Sequence, residues 1–272
     1  MSLMSISGTL GSGVQDIAKS LAEGLKLDLY DDQRLHEEAV KTGIRSDELK
    51  SLEEKAPSFF DHLWSHKPEL YLDLMESVVY GVARRGEGII MGHGSPLLLR
   101  EFGCALHVLV HAPHPSRVRN LVDRHGLSEK AAEKLIEKND HERQGFLRFA
   151  FQMDWNDLNL YDLVINTEKL GFSGAVQLIM EASNQQAIKE CSLKALEAME
   201  NLFLTKKVQA ELLRQDFNLS RLHVEVPEQG QVRIWGIADT AERKERIVEI
   251  INVVQGVKEV KAELVVIPSS AV

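Results

Sequence analysis

The chain has 272 residues, of which 44% are hydrophobic, and carries a formal net charge of -9. That length and hydrophobic content are enough for a core larger than one small domain provides. The negative charge argues against a general nucleic-acid binder or a binder of anionic membranes, although a local cluster of arginines can still hold an anionic small molecule.

The N-terminus lacks the basic segment and long apolar run of a secretory signal. No run of apolar residues reaches the length that a bilayer span requires. The two cysteines, Cys104 and Cys191, are far apart and form no metal-binding spacing. We therefore expect a cytoplasmic protein with no membrane span and no dedicated metal-binding residues.

The first motif in the chain is a glycine-rich segment that follows a short apolar run. Gly8 and Gly13 have the spacing of the phosphate-binding loop G-x-x-x-x-G-K-[ST], whose lysine contacts the β- and γ-phosphates and whose hydroxyl binds Mg²⁺. Val14 and Gln15 stand at those last two positions. Glycines followed by a helix can still form a nest of backbone N–H groups that binds an anion. We predict phosphate binding by the whole loop: Gly8, Thr9, Gly11, Ser12, Gly13, Val14 and Gln15. An ordinary strand–turn–helix connection is the alternative.

Residues 4–183 alternate strand-like runs with helical patterns, which favours parallel βαβ units. The predicted strands are continuous apolar runs, as expected of buried parallel strands. They cover residues 3–6, 88–91, 106–110 and 162–165. Apolar residues at helical spacing predict the helices, which cover residues 16–25, 46–54, 69–84 and 128–143.

The pattern changes in the last third of the chain. Helical spacing continues over 184–214, which we interpret as a helical connector, with a homodimer seam as the alternative. Alternating residues over 222–226 and 231–236 then predict two paired strands joined by a turn. An amphipathic helix over 240–254 and a last strand over 261–267 complete a small α+β domain.

Several motifs together resemble the cytidylate kinase-like family of P-loop proteins over about residues 4–183. They are Gly11-Ser12-Gly13, the helix that runs from Ile17 to Leu25, the pair Tyr30-Asp31, the turn Gly92-His93-Gly94 and the arginine-containing segment 117–126. The resemblance implies an α/β fold of three layers, in which a parallel sheet carries helices on both faces. Here that fold would be followed by the small α+β domain.

The resemblance also implies roles for individual side chains. Arg117 and Arg124 would face the nucleotide phosphates, while Arg143 and Arg148 would lie on a helical lid that closes over the donor. Arginine suits this task because its planar guanidinium binds phosphate at two points. Asp31 and His93 would contact the substrate. For Asp31 a helix cap is the alternative, and for His93 a position within a turn.

Three positions depart from the pattern of the family, and each lacks a permanent positive charge. Val14-Gln15 stands where the family has Gly-Arg. His93 replaces the arginine of a Gly-Arg-Gly turn, and Asn120 replaces a further arginine. Phosphoryl transfer relies on positioning and on the stabilisation of negative charge, so these changes bear on activity more than on fold.

The sequence therefore supports two main hypotheses. In the first, the protein is an enzyme that uses ATP and Mg²⁺ to phosphorylate a nucleoside monophosphate, CMP or a relative. In the second, it is a catalytically degenerate module that senses a nucleotide or another phosphorylated ligand. An interaction scaffold without a small ligand is a third interpretation.

The C-terminal motifs Val232-x-Ile234-x-Gly236 and Gly256-Val257-x-x-Val260 resemble those of a BON domain. Many domains of that family occur in envelope proteins and are linked to phospholipid or ligand binding. We accordingly predict a kinase-like domain over 1–183, a helical connector over 184–204 and a BON-like domain over 205–268. The ligand or protein partner of the last domain is left open.

Overall fold

The computed structural model describes residues 3–42, 44, 68–154, 156–189 and 192–267. These residues form two compact units. The first unit draws on residues 3–38 and 85–192, and the second on residues 39–44, 68–84 and 193–267. The helix predicted over 46–54 lies outside the described residues.

In the described part of the chain, eight strands form two sheets. The first unit contains a five-stranded parallel sheet with the order β2-β3-β1-β4-β5, and the second unit a three-stranded sheet with the order β6-β7-β8. The strands are β1 Leu3–Gly8, β2 Leu29–Tyr30, β3 Gly88–Met91, β4 Ala105–His111, β5 Leu163–Asn166, β6 Leu222–Glu228, β7 Gln231–Ala238 and β8 Glu259–Val266.

The helices are α1 Val14–Leu25, α2 Asp32–Lys41, α3 Pro68–Ala83, α4 Ser95–Leu98, α5 His114–His125, α6 Glu129–Phe151, α7 Thr167–Ser183, α8 Gln186–Lys189, α9 Leu193–Arg214 and α10 Ala241–Asn252. Side-chain caps fix several of their first residues. The Ser128 hydroxyl accepts a hydrogen bond from the Ala131 N–H at the start of α6, and Asn166 caps α7 in the same way. None of the helices in the described ranges combines the length and the apolar character that crossing a bilayer requires.

The core of the first unit explains why its strands are continuous apolar runs. Ile6 of β1 and Val108 of β4 are fully buried and pack in one cluster with Ile17 of α1 and Ile179 of α7. Strands covered in this way need apolar side chains at almost every position. The predicted α/β class is confirmed, with a parallel sheet and its helices followed by a small α+β unit.

The second unit combines the three-stranded sheet with helices α3, α9 and α10. Strands β6 and β7 are antiparallel, whereas β7 and β8 are parallel. Buried residues Val208, Ile234 and Ile250 of α9, β7 and α10 share one core cluster.

Helix α3 belongs to this second unit, although it precedes β3 in the chain. Lys206 of α9 forms ion pairs with Asp73 and Glu76 of α3, at 2.7 and 2.8 Å. Gly81 permits a close approach, since a Cβ there would lie 3.0 Å from the Phe203 ring. The predicted domain boundaries remain a prediction, and these contacts associate the helix predicted over 69–84 with the C-terminal part of the chain.

Candidate functional site

The glycine-rich loop connects β1 to α1, and two of its residues require glycine. Gly11 and Gly13 have φ values of 84° and 85°, in the left-handed region that side chains disfavour. A Cβ at Gly13 would lie 2.2 Å from the Phe172 ring, and one at Gly11 would lie 2.7 Å from the Arg117 carbonyl oxygen. The loop therefore keeps its path only with glycine at both positions.

Side chains from α5, α6 and α7 hold the loop by its carbonyl oxygens. The pairs are Arg143 with Gly8, Arg117 with Leu10 at 2.7 Å, Asn120 with Gly11 at 2.8 Å and Thr167 with Ser12 at 3.0 Å. In a trans peptide the N–H points away from the preceding carbonyl. Arg117 and Thr167 hold the Leu10 and Ser12 carbonyls on one side of the loop. The N–H groups of Gly11 and Gly13, which follow them in the chain, therefore point to the other side.

The N–H groups of Gly11 and Gly13 and the first ones of α1 find no acceptor among the residues that the structure describes. Ser12 N–H donates to the Thr9 carbonyl, but within the described ranges no acceptor faces the N–H groups of Gly11, Gly13, Val14 or Gln15. All four of these residues line one cavity. Open N–H groups at a helix N-terminus form an anion-binding site.

Two hydroxyls in the loop are buried without a partner in the described part of the chain. Thr9 Oγ1 and Ser12 Oγ are buried and have no hydrogen-bond partner among the described residues. A buried hydroxyl without a partner costs about 1–3 kcal/mol, so such groups call for an explanation. Thr9 and Ser12 are not among the residues that line the cavity beside the loop, so the open N–H groups form the candidate anion site without these hydroxyls.

The cavity next to the loop has a volume of about 150 Å³. Its other walls carry polar and charged side chains from α2, α5 and α6, together with the aromatic rings of Phe146 and Phe172. The polar set is Asp32, Asn120, Arg124, His125, Asn139, Glu142 and Arg143. The cavity thus combines two arginines with the open N–H groups, although the chain as a whole is acidic.

Arg143 lies between this cavity and a second, smaller hollow of about 20 Å³. Arg143 and Gly92 line both spaces, and the hollow is also lined by Ser7, His93 and Tyr161. Burial raises the pKa of the Tyr161 hydroxyl, so this group stays protonated and able to donate at neutral pH. An arginine shared by two adjoining spaces can contact ligands in both.

Arg117 was expected to face phosphates, but its guanidinium is already occupied in this structure. The side chain is buried, and its two terminal nitrogens donate to the Asp140 carboxylate at 2.7 Å each. Its Nε donates to the Leu10 carbonyl. In this conformation Arg117 supports the loop from behind, and it does not line the cavity.

The other predicted arginines differ from one another. Arg124 lines the cavity, forms an ion pair with Asp16 and stacks over the Phe172 ring at 4.2 Å. Arg148 is exposed on α6, and in the described structure it lines neither space. Of the four predicted arginines, the structure therefore brings Arg124 and Arg143 together at the cavity.

Asp31 and His93, the two residues predicted to contact the substrate, have different surroundings. Asp31 accepts a hydrogen bond from the Arg34 N–H at 3.0 Å and so caps α2. Its neighbour Asp32 lines the cavity and pairs with His93 Nε2 at 3.0 Å. Sequence reasoning missed Asp32, although the acidic doublet after Tyr30 was a usable signal.

The chain belongs to the cytidylate kinase-like family, whose sequence profile matches residues 3–169. The profile of the BON domain matches residues 204–268. Both predicted resemblances are thereby confirmed, and the first unit has a kinase-like P-loop fold.

Individual relatives agree with the family assignment. A cytidylate kinase of Aeropyrum pernix is 29% identical over 67% of this chain and 99% of its own length. A cytidylate kinase of Pyrobaculum islandicum is 26% identical over 66% of this chain and 92% of its own length. An uncharacterised protein of Eubacterium ventriosum shares the fold, with a TM-score of 0.52 and 19% identity over 68% of this chain and 100% of its own.

Proposed function

We propose that the first unit is a nucleotide kinase that binds the phosphates of ATP on the loop between β1 and α1. It would transfer the terminal phosphoryl group to a nucleoside monophosphate, CMP or a relative. The observation that carries the proposal is the set of open N–H groups at Gly11, Gly13, Val14 and Gln15. Relatives that are named cytidylate kinases, and that align to this chain over 99% and 92% of their own length, support the choice of acceptor class.

The residues present fit the phosphates of ATP without the usual lysine. Backbone N–H groups and the positive end of α1 provide the attraction, and both act on charge without a cationic side chain. Arg124 would add a cation from α5.

The residues also fit Mg²⁺, in a form that depends on phosphate and water. Mg²⁺ at kinase sites is bound by one or two carboxylates together with substrate phosphates and water. Asp32 is the carboxylate we assign to it, because it lines the cavity and its partner His93 is an imidazole, whereas Asp16 and Glu142 are paired with the cationic side chains of Arg124 and Lys138. When bound, the ion would neutralise the negative charge that develops on the phosphates.

Arg143 is the side chain we assign to the transferred group. An acceptor phosphate oxygen would form a bond to the γ-phosphorus as the bond to the β,γ-bridging oxygen breaks, which releases ADP. Negative charge spreads over the γ-oxygens in that step, and an arginine directed at them lowers the barrier. Because Arg143 lines both the cavity and the hollow beside His93, it can contact donor and acceptor together.

A specific observation also favours the second candidate function, a nucleotide sensor without turnover. The two terminal nitrogens of Arg117 donate to the Asp140 carboxylate, and the side-chain amide of Asn120 donates to the Gly11 carbonyl of the loop. In this conformation Arg117 is not available to a transferred phosphate, and the Asn120 amide has one N–H left for it. In that case the loop would still bind ATP, and binding would leave the nucleotide intact.

The test is a coupled phosphotransfer assay at high enzyme concentration, with ATP, Mg²⁺ and a panel of CMP, dCMP, UMP and AMP. We expect turnover by the wild type and a loss of at least about 10²-fold in kcat for Arg143→Ala. Arg148→Ala is the matched control, because it removes an exposed arginine from the same helix. Turnover that survives Arg143→Ala would overturn the assignment of this residue. ATP binding without turnover would favour the sensor.

A further inference from the structure

The second unit contains a cavity of its own, which the proposed kinase does not use. It has a volume of about 380 Å³ and lies among the C-terminal end of α2, the residue after α3, helix α9 and two loops of the C-terminal sheet. The loops are those around Gly230 and Gly256, and both glycines have positive φ. A Cβ at Gly230 would lie 2.8 Å from the side chain of Lys258, so glycine there allows the lysine to lie across the loop.

Charge on the walls of this cavity is opposite in sign to that of the whole chain. Four basic residues line it, namely Lys41, Arg84, Lys207 and Lys258, whereas Glu200 is the one carboxylate among its described lining residues. Glu200 is already paired with Arg84 at 2.6 Å. The chain as a whole carries a net charge of -9. A local excess of cations in an acidic protein needs a physical reason.

Two of these lysines have no carboxylate partner in the described part of the chain. Lys207 Nζ donates to the Gln255 carbonyl at 3.3 Å and stacks on the Phe203 ring at 5.4 Å. Arg84 covers the same ring at 4.1 Å. Lys258 lies across Gly230, and no ion pair forms at it within the described ranges. Burial and the nearby charge of Arg84 lower the pKa of Lys207, which shows that its positive charge is held at a cost.

From this arrangement we infer that the second unit binds a phosphorylated small molecule at the cavity lined by Arg84, Lys207 and Lys258. A diphosphate group suits it, because several cations converge on one space and a multiply charged anion satisfies them together. The amide side chains of Asn201, Gln229 and Gln255 also line the cavity and can donate to phosphate or sugar oxygens. The inference does not depend on the proposed kinase activity.

A site-resolved titration tests the inference on the full chain. Pyrophosphate and ATP are added separately to ¹⁵N-labelled protein, and backbone amide shifts are followed by NMR. We expect a saturable shift of the Gly230 and Gly256 amides with both ligands. Gly11 and Gly13 report the loop site in the same spectra, so failure of one site is distinguished from failure of the other.

The double variant Lys207→Gln/Lys258→Gln should weaken the Gly230 and Gly256 response by about tenfold or more. Lys261→Gln is the matched control, because it removes a lysine of β8 that does not line the cavity. The single variant Lys258→Gln changes an exposed side chain and should fold normally. It therefore provides the test if the double variant does not fold. Equal affinity for the lysine variants and the wild type, or no shift at Gly230 and Gly256, would overturn the inference. Tighter binding of ATP than of pyrophosphate would identify the ligand as a nucleotide, and equal binding would identify the diphosphate group.

Discussion

Arg117 and Asp140 form a two-point ion pair, in which both terminal nitrogens of the guanidinium donate to the carboxylate at 2.7 Å. The third bond of the guanidinium, from Nε, reaches the Leu10 carbonyl in the glycine-rich loop. The pair thereby ties α6 to α5 and to the loop. A residue that resembles a phosphate ligand in the sequence is, in this conformation, part of the support of the site.

Arg117→Ala should therefore lower the stability of the protein. It leaves the Asp140 carboxylate and the Leu10 carbonyl without their donor, and the expected loss is about 2–3 kcal/mol in the free energy of unfolding. Urea denaturation followed by circular dichroism measures it. Arg119→Ala is the control, because that arginine is exposed and should change stability by less than about 0.5 kcal/mol. An unchanged midpoint for Arg117→Ala would show that the ion pair contributes nothing.

Sequence patterns predicted the central strands well, because each of them is a buried apolar run. The run over 88–91 coincides with β3, and the runs over 3–6 and 106–110 lie within β1 and β4. The edge strand β2 was missed, since two residues carry no periodicity. Helix α6 extends to Phe151, past the predicted end at 143, because its last turns are stabilised by packing of Phe146 and Leu147.

The site was less predictable than the fold. The loop itself follows from glycine spacing, which is a local signal. The partners of Arg117 and Asp32 are 23 and 61 residues away in the chain, so only the tertiary structure brings them together. The sequence also did not reveal that α3 belongs to the second unit, because the ion pairs between α3 and Lys206 span more than 100 residues of sequence.

Acid should destabilise the first unit through His107. Burial lowers the pKa of this imidazole below its ordinary value of 6.5, and Nδ1 lies 2.8 Å from Ser5 Oγ. As the pH falls below 6.5, the unfolded chain takes up a proton that the folded protein excludes, so stability decreases. One such proton gives a slope of at most about 1.4 kcal/mol per pH unit.

The measurement is urea denaturation between pH 5 and pH 7 for the wild type and His107→Gln. The variant should lose the part of the slope that this proton contributes, whereas His114→Gln, which alters an exposed imidazole, should keep it. Parallel curves for the wild type and His107→Gln would contradict the assignment.

The ion pairs between α3 and α9 should make Lys206 important for the second unit. Lys206→Met leaves Asp73 and Glu76 with an unpaired charge in a largely buried position, and we expect a loss of about 3 kcal/mol. Adding Asp73→Asn to that variant removes one of the two charges and should restore part of the stability. Thermal and urea unfolding measure both effects. Lys194→Met, which alters an exposed lysine of the same helix, is the control, and an equal effect of the two lysine variants would refute the role of the pairs.

The most direct test of the central claim is calorimetric titration of the full chain with ATP, for the wild type, Gly13→Asp and Gly103→Asp. An aspartate at position 13 brings a carboxylate to the phosphate site and a side chain into the space of the Phe172 ring, whereas a Cβ at Gly103 meets no atom within 4 Å. We predict that the wild type and Gly103→Asp bind ATP, and that Gly13→Asp, with a native circular dichroism spectrum, does not. Binding of ATP by Gly13→Asp with an unchanged Kd would contradict the assignment of the nucleotide to this loop.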